Sequence, residues 1–453
     1  MHCGYIVKVD KLRKHQNADK LQIATFFDND TCVGLDVAID DIGIYFPSDL
    51  QLSEEFCKVH DLVRRKDENG NPAGGYLDPE KRNIRAVKLR GEKSDGLFMP
   101  LSCLVYTGIN LDDLTIGTKI DVVNGHEICQ KYIPKTQHRR GTPSEGNKTR
   151  KRKAPTAPLF QEHADTEQLA YNLGAFKTGD EIEITLKMHG TSQRTAHVPV
   201  LKGYKRTFWE KITRKQGTPI YDYGYISGTR RVVLDSFDGG FYGSNEFREQ
   251  HAKVFEGKLE KGETVYYEVV GFTHTGAPIM ASGDNKKLND KEFIKQYGQT
   301  TVFSYGCDPE STDGGHYEDI VWVGPQSDIY VYRMTMTNED GFVVEYTPDF
   351  MRYRCEQMGV KTVPAFWKGI LQGLGKDWNI EEAVKQLAEQ YYDGPDPIGR
   401  THVREGVVVR IINRPKFCAY KHKNFSFKCL EGLVKADAAA PDMEEAQEVE
   451  NNA

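Results

Sequence analysis

Apolar and polar positions alternate at short range through the first 130 or so residues of the chain. Tyr5, Val7 and Val9 fall on every second position, and Leu21–Phe26 and Ile42–Phe46 are brief apolar runs. A period of two and runs of this length predict strands. The Asn- and Gly-containing stretch from Asp67 to Gly75 predicts a loop between two of them. Many short strands in sequence suit a small OB-type β-barrel over residues 1–134, a fold that often holds oligonucleotides. The same fold also serves as a packing module without a ligand. From Phe160 to Lys435 the pattern predicts a second domain, built largely of strands at Glu181–Lys187, Ile226–Leu234, Thr264–Phe272, Ile329–Met336 and Gly406–Ile412. Helical spacing occurs at Asp349–Met358 and Glu381–Tyr391, the second placing Ala383, Val384, Leu387 and Tyr391 on one face. The expected class is α+β, an OB-type barrel followed by an antiparallel-sheet domain, and no internal repeat is present.

Between these segments the composition changes sharply. From Lys135 to Lys153 there are eight lysines and arginines against the single Glu145, with few apolar residues. Residues 135–159 therefore read as a basic linker. The run Lys148-Thr149-Arg150-Lys151-Arg152-Lys153 suits phosphate contact through charge, nuclear import, or a solvated tether. Residues 436–453 carry six acidic residues and no basic one, and read as a disordered acidic tail. The 453 residues have a net charge of −6, so a nucleic-acid partner would have to be met by local basic surface. Nine scattered cysteines without a CxxC pair point to thiols in a reducing compartment rather than to a zinc site or a disulfide framework. No apolar run reaches membrane-spanning length, and the start lacks a signal-peptide pattern. The expected location is the cytoplasm, or the nucleus of a eukaryotic host, with no membrane and no obligatory protein partner.

Lys187-Met188-His189-Gly190-Thr191 closes the strand in which Ile182, Ile184 and Leu186 alternate with Glu183, Thr185 and Lys187. Lys187 thus sits on the polar face, just before a glycine turn. Downstream, in order, come Ser227-Gly228-Thr229-Arg230-Arg231, Tyr266-Tyr267-Glu268-Val269-Val270-Gly271, Tyr330-Val331-Tyr332-Arg333, Glu405-Gly406-Val407-Val408-Val409-Arg410 and Lys421-His422-Lys423-Asn424. This series resembles the motifs of the covalent nucleotidyltransferases, the superfamily of ligases and RNA-capping enzymes. The family's first motif is Lys-x-Asp-Gly; His189 replaces the Asp. That departure, and the barrel-like segment in front, bring the chain closer to the ATP-dependent RNA ligases of the Deinococcus and Naegleria type. His15-Gln16-Asn17-Ala18-Asp19-Lys20-Leu21 and Arg90-Gly91-Glu92-Lys93-Ser94-Asp95-Gly96-Leu97 resemble segments of that family's OB domain.

The resemblance implies a nucleotidyltransferase (ATP-grasp-like ligase) fold for the second domain, and an RNA ligase that joins 3′-hydroxyl and 5′-phosphate ends, with nicked duplex RNA as partner. It implies Lys187 as the residue that carries AMP. Thr185, His189, Gly190, Arg230, Arg231, Glu268, Tyr332, Lys421 and Lys423 would contact the nucleotide, the register between Arg230 and Arg231 being open. Glu268 and Glu405 would hold Mg²⁺ or Mn²⁺ through its waters, with ATP as co-substrate. The chemistry asks for such residues. A lysine amine attacks phosphorus only when neutral, a form favoured by nearby positive charge, and charge building on the phosphate oxygens needs cations beside it. His189 either contacts substrate or shapes the turn. An RNA-capping guanylyltransferase, a DNA ligase and a catalytically inactive nucleic-acid-binding protein are the alternatives. In capping enzymes the barrel follows the catalytic domain, whereas here the barrel-like segment precedes it.

Overall fold

The computed structural model describes residues 2–66, 68–70, 72–133, 156–213, 217–230, 232–234, 237, 246–273, 278–280, 283–301, 327–373, 378–398 and 402–436. The basic linker up to residue 155, the tail from 437 onward and Arg231 lie outside the described residues. Two compact units are present among the described residues: those within 2–133, 286–290 and 425–436 form the first, and those within 156–285 and 291–424 the second.

In the first unit the strands Leu97–Pro100, Ile42–Phe46, Gly4–Lys8 and Lys119–Ile120 form one antiparallel sheet in that order. A three-stranded meander of Leu12–Lys14, Leu21–Phe26 and Asn29–Gly34 is separate from it. The expected closed barrel is not formed among the described residues. Most of these strands are two to six residues long, and their ladders stop before any sheet returns on itself. Ile6, Ile44, Phe46, Leu52, Phe56 and Leu104 make a dry core. The segments 15–21 and 89–97 touch each other. Buried His15 lies 3.1 Å from the Leu89 carbonyl, and Asn17 donates to the Arg90 carbonyl at 2.9 Å. The helix Phe425–Ala436, expected within the second domain, groups with this unit: Lys428 donates to Asp95 at 2.6 Å, and Lys93 sits over the Phe425 ring.

The second unit contains two sheets. One runs Glu167–Gln168, Cys418–Lys423, Gly406–Ile411, Glu181–Leu186, Ala365–Ile370; the other runs Thr218–Gly228, Thr191–Lys205, Glu263–Gly271, Ser327–Thr337, Val343–Glu345, with Lys361–Thr362 pairing Ser327–Thr337. Both are antiparallel apart from two short parallel pairs, giving a mixed α/β chain. The helices Pro348–Met358 and Ile380–Glu389 coincide with the two expected, each started by a side-chain cap, Thr347 and Asn379. The strand expected at Ile226–Leu234 instead spans Thr218–Gly228 and ends as the chain turns. Its neighbour Thr191–Lys205, fifteen residues long, was not expected. Between the sheets, Leu186, Met188, Val270, Tyr330 and Val363 pack as one apolar cluster.

Candidate active site

The strand Glu181–Leu186 delivers Lys187 at its end. Ile182, Ile184 and Leu186 are buried, and the ladder to Gly406–Ile411 runs from Ile182–Ile411 to Leu186–Val407. The Lys187 amide donates to the Gly406 carbonyl at 3.0 Å, which prolongs this pairing past the strand. Gly406 has φ +143°, a region that side chains with a Cβ rarely adopt, and a Cβ there would meet the His422 carbonyl oxygen at 2.1 Å. Glycine at 406 therefore lets Glu405 enter the ladder beside Lys187.

The two side chains meet: Lys187 Nζ lies 2.6 Å from Glu405 Oε1, and Lys423 Nζ reaches the same oxygen at 3.4 Å. His189 Nδ1 donates to the other oxygen, Oε2, at 3.3 Å. Lys187 and Lys423, 236 positions apart in sequence, thus share one carboxylate. Burial of Glu405 opposes its ionisation, yet the charges of Lys187 and Lys423 and the His189 contact outweigh that and hold its carboxyl down at about 2. His402, which the sequence did not single out, is buried nearby; burial, reinforced by His189, pushes its imidazole below the usual range and keeps it neutral.

Gly190 crosses to the second sheet. A Cβ there would lie 2.5 Å from the Val269 carbonyl oxygen and 2.8 Å from Glu268 Cγ. The turn after Lys187 is thereby laid against the Glu268 strand, with Ser192 paired across from Glu268. Tyr332 packs against the Met188 cluster and shares a hydrogen bond of 3.0 Å with Ser192. Arg248, also unforeseen, is fully buried and donates to the Thr191 hydroxyl at 2.6 Å and to the Ser192 carbonyl at 3.2 Å, pinning the strand that follows the turn.

Of the expected residues, the structure thus gathers Lys187, His189, Glu405 and Lys423 directly, with Gly190 against Glu268, and Tyr332 beside Met188. Thr185 is half-buried, paired with Val408 and Ala365 two residues before Lys187. Lys421 is half-buried in the strand Cys418–Lys423, opposite Val408. Arg230 engages a different segment: it approaches Asp165 at 3.5 Å, and its carbonyl accepts the His163 amide at 3.2 Å. Arg248 and His402 carried no sequence signal, because a single Arg in a polar helix and a single His before a Val look like surface residues.

Among the described residues, no three His, Cys, Asp or Glu side chains gather to hold a metal by themselves. The donor set still suits magnesium or manganese of the kind that arrives with a triphosphate. Such an ion uses one or two carboxylates and fills its remaining positions with waters and phosphate oxygens, and Glu405 is ionised at any ordinary pH. No helix among the described residues is long and apolar enough to cross a membrane.

No protein-family model matches this chain, and no curated protein matches it. Solved structures do. A variant of Naegleria gruberi RNA ligase with ATP and Mn aligns over 94% of this chain and 98% of its own, with a TM-score of 0.54 and 14% identity. Naegleria gruberi RNA ligase with PPi aligns over the same shares with a TM-score of 0.53 and 14% identity. A further variant with ATP and Mn covers 94% and 97%, with a TM-score of 0.52 and 13% identity. The chain therefore has an RNA ligase-like fold along nearly its whole length.

Proposed function

We propose that this protein is an ATP-dependent RNA ligase whose Lys187 carries AMP, and that it seals breaks in RNA bearing a 3′-hydroxyl and a 5′-phosphate. The observation that supports this most is the convergence of Lys187, Lys423 and His189 on buried Glu405. In the first step the Lys187 nitrogen forms a bond to the α-phosphorus of ATP. The bond to the pyrophosphate oxygen breaks, pyrophosphate leaves, and the amine gives up its proton to water. AMP then passes to the RNA 5′-phosphate, and the 3′-hydroxyl oxygen displaces it to form the phosphodiester.

Each residue has a physical part in this reading. A carboxyl held at about 2 is a poor base, so Glu405 orients the Lys187 amine rather than taking its proton. Lys423, drawn to the same oxygen, places a second positive charge beside the attacking nitrogen and, with Lys421, toward the phosphate oxygens. His189 fixes the Glu405 carboxylate from its other side. Gly190 lets the turn approach Glu268, and Tyr332 shapes the adjoining wall. Thr185 would line the same pocket, and one of Arg230 and Arg231 would contact the nucleotide or the RNA end. Glu268 and Glu405 would hold a divalent cation through its waters, and when bound it would spread the charge of the phosphates. The first unit is the OB-type module of this reading, and nicked duplex RNA is the expected partner.

The test is incubation of the full chain with α-labelled ATP and magnesium. An acid-labile labelled protein should form, and Lys187→Ala should abolish it. Label that persists in Lys187→Ala would overturn the assignment. A preference for GTP would favour a capping enzyme, and sealing of DNA 3′-hydroxyl strands in preference to RNA would favour a DNA ligase.

A further inference from the structure

The outer half of the long hairpin Thr191–Lys205/Thr218–Gly228 carries features that the reaction above does not use. On the sheet's edge strand, Tyr221, Tyr223 and Tyr225 recur on every second position and so share one face. Tyr225 anchors the row: it stacks on His197 at 4.6 Å, and its hydroxyl accepts the Gly257 amide at 2.7 Å. Tyr223 is half-buried, with the Lys261 ammonium 4.8 Å from its ring centroid. Outward from there the rings become free of the body. Tyr221 is 41% exposed and, at the hairpin end, Phe208 and Trp209 are each 72% exposed and meet edge to face.

Neighbouring aromatic rings left this open form an exposed patch of the kind that marks an interaction site. The charge around them indicates the partner. Lys202, Lys205 and Arg206 are exposed on the same hairpin. Between Leu201 and Tyr221 the sequence has six lysines and arginines against the single Glu210, in a chain whose net charge is −6. Rings spaced along a strand and interleaved with cations are what stacked bases and their phosphates require, whereas a protein partner would draw on apolar area without this surplus of one sign.

We infer that this hairpin is an RNA-binding arm. Single-stranded bases beyond the nicked duplex stack on Phe208, Trp209 and Tyr221, and their phosphates lie against Lys202, Lys205 and Arg206. The inference rests on RNA being the substrate, and its test separates the two. Adduct formation from labelled ATP needs no RNA and reports the Lys187 chemistry alone, whereas fluorescence anisotropy with a labelled single-stranded oligouridine reports the arm.

In the full chain, Phe208→Ala/Trp209→Ala should weaken oligouridine binding at least about tenfold, given the usual worth of a base–aromatic stack. Lys205→Gln/Arg206→Gln should lower the slope of log affinity against log salt by about 1.4, two contacts' worth for a single strand. Trp209→Phe should retain most of the affinity, which separates lost stacking from lost folding. Adduct formation should be unchanged in all three. Unaltered oligouridine affinity in the double-alanine variant, or absence of oligouridine binding by the unaltered protein, would overturn the inference. Self-association that the double-alanine change abolishes, with RNA affinity intact, would make the arm a protein interface and would overturn it too.

Discussion

Replacing Glu405 by Gln keeps the volume of the side chain and removes its charge, leaving Lys187 and Lys423 facing an amide. The structure sets the size of the effect. The carboxyl lies at about 2 against an ordinary 4.5, because two ammonium groups and His189 overcome its burial. At about 1.4 kcal/mol per unit, the folded state gains about 3 kcal/mol from this carboxylate at neutral pH. Glu405 is itself only 2% exposed, so solvent screening removes little of that. The sign follows from the direction of the shift. A depressed carboxyl adds stability above 4.5, and that contribution is lost as pH falls from 4.5 toward 2. The described tryptophans, Trp209, Trp367 and Trp378, fall in the second unit, so urea unfolding followed by tryptophan fluorescence reports on that unit. Glu405→Gln should be less stable than the unaltered protein by about 3 kcal/mol from pH 7 down to 4.5, and below that the gap should narrow by about 1.4 kcal/mol per pH unit. A gap near zero at pH 7, or one that stays constant down to pH 3, would refute the view that Lys187 and Lys423 hold this carboxylate ionised.

Other changes test neighbouring parts of the same argument. Gly190→Ala places a methyl 2.5 Å from the Val269 carbonyl oxygen, so the turn must move; thermal melting should show a loss of about 1–3 kcal/mol, and adduct formation should fall more than the melting alone explains. His189→Ala removes a charge-assisted hydrogen bond of 3.3 Å to Glu405, a loss of about 1.5–3 kcal/mol, read as slower adduct formation at saturating ATP. In the first unit, Lys428→Ala leaves Asp95, 4% exposed at its side chain, without its 2.6 Å partner; about 2 kcal/mol should be lost, and hydrogen exchange in the helix Phe425–Ala436 should speed up while that in Gly406–Ile411 is unaffected.

The contrast between two adjacent strands shows what the residue pattern could and could not reveal. Glu181–Leu186 was legible because its apolar positions Ile182, Ile184 and Leu186 alternate with polar ones, even though Glu183 between them is buried too. Thr191–Lys205, the longest strand among the described residues, was not, although its first half is the more deeply buried: Thr191, Ser192, Gln193, Arg194 and Thr195 are each at most 3% exposed. Several of their polar groups are met by partners from elsewhere in the chain. Thr195 bonds both Ser227 and Tyr267 at 2.9 Å, Gln193 donates to the Arg248 carbonyl at 2.9 Å, and Arg248 returns to Thr191. A strand stabilised by a polar network has no hydrophobic period to read, because burial there is made possible by partners 32 to 72 residues away. The site follows the same rule. Lys187 on a polar strand face is an ordinary pattern, and its link to Glu405 and Lys423 lay in the order of motifs rather than in any spacing. The role of His189 was left open by sequence because it depends on where Glu405 is, which in turn depends on the unusual backbone of Gly406. Local periodicity therefore located the strand that ends at Lys187, whereas the carboxylate beside that lysine is set by sheet pairing over 218 residues and by one glycine that makes the approach possible.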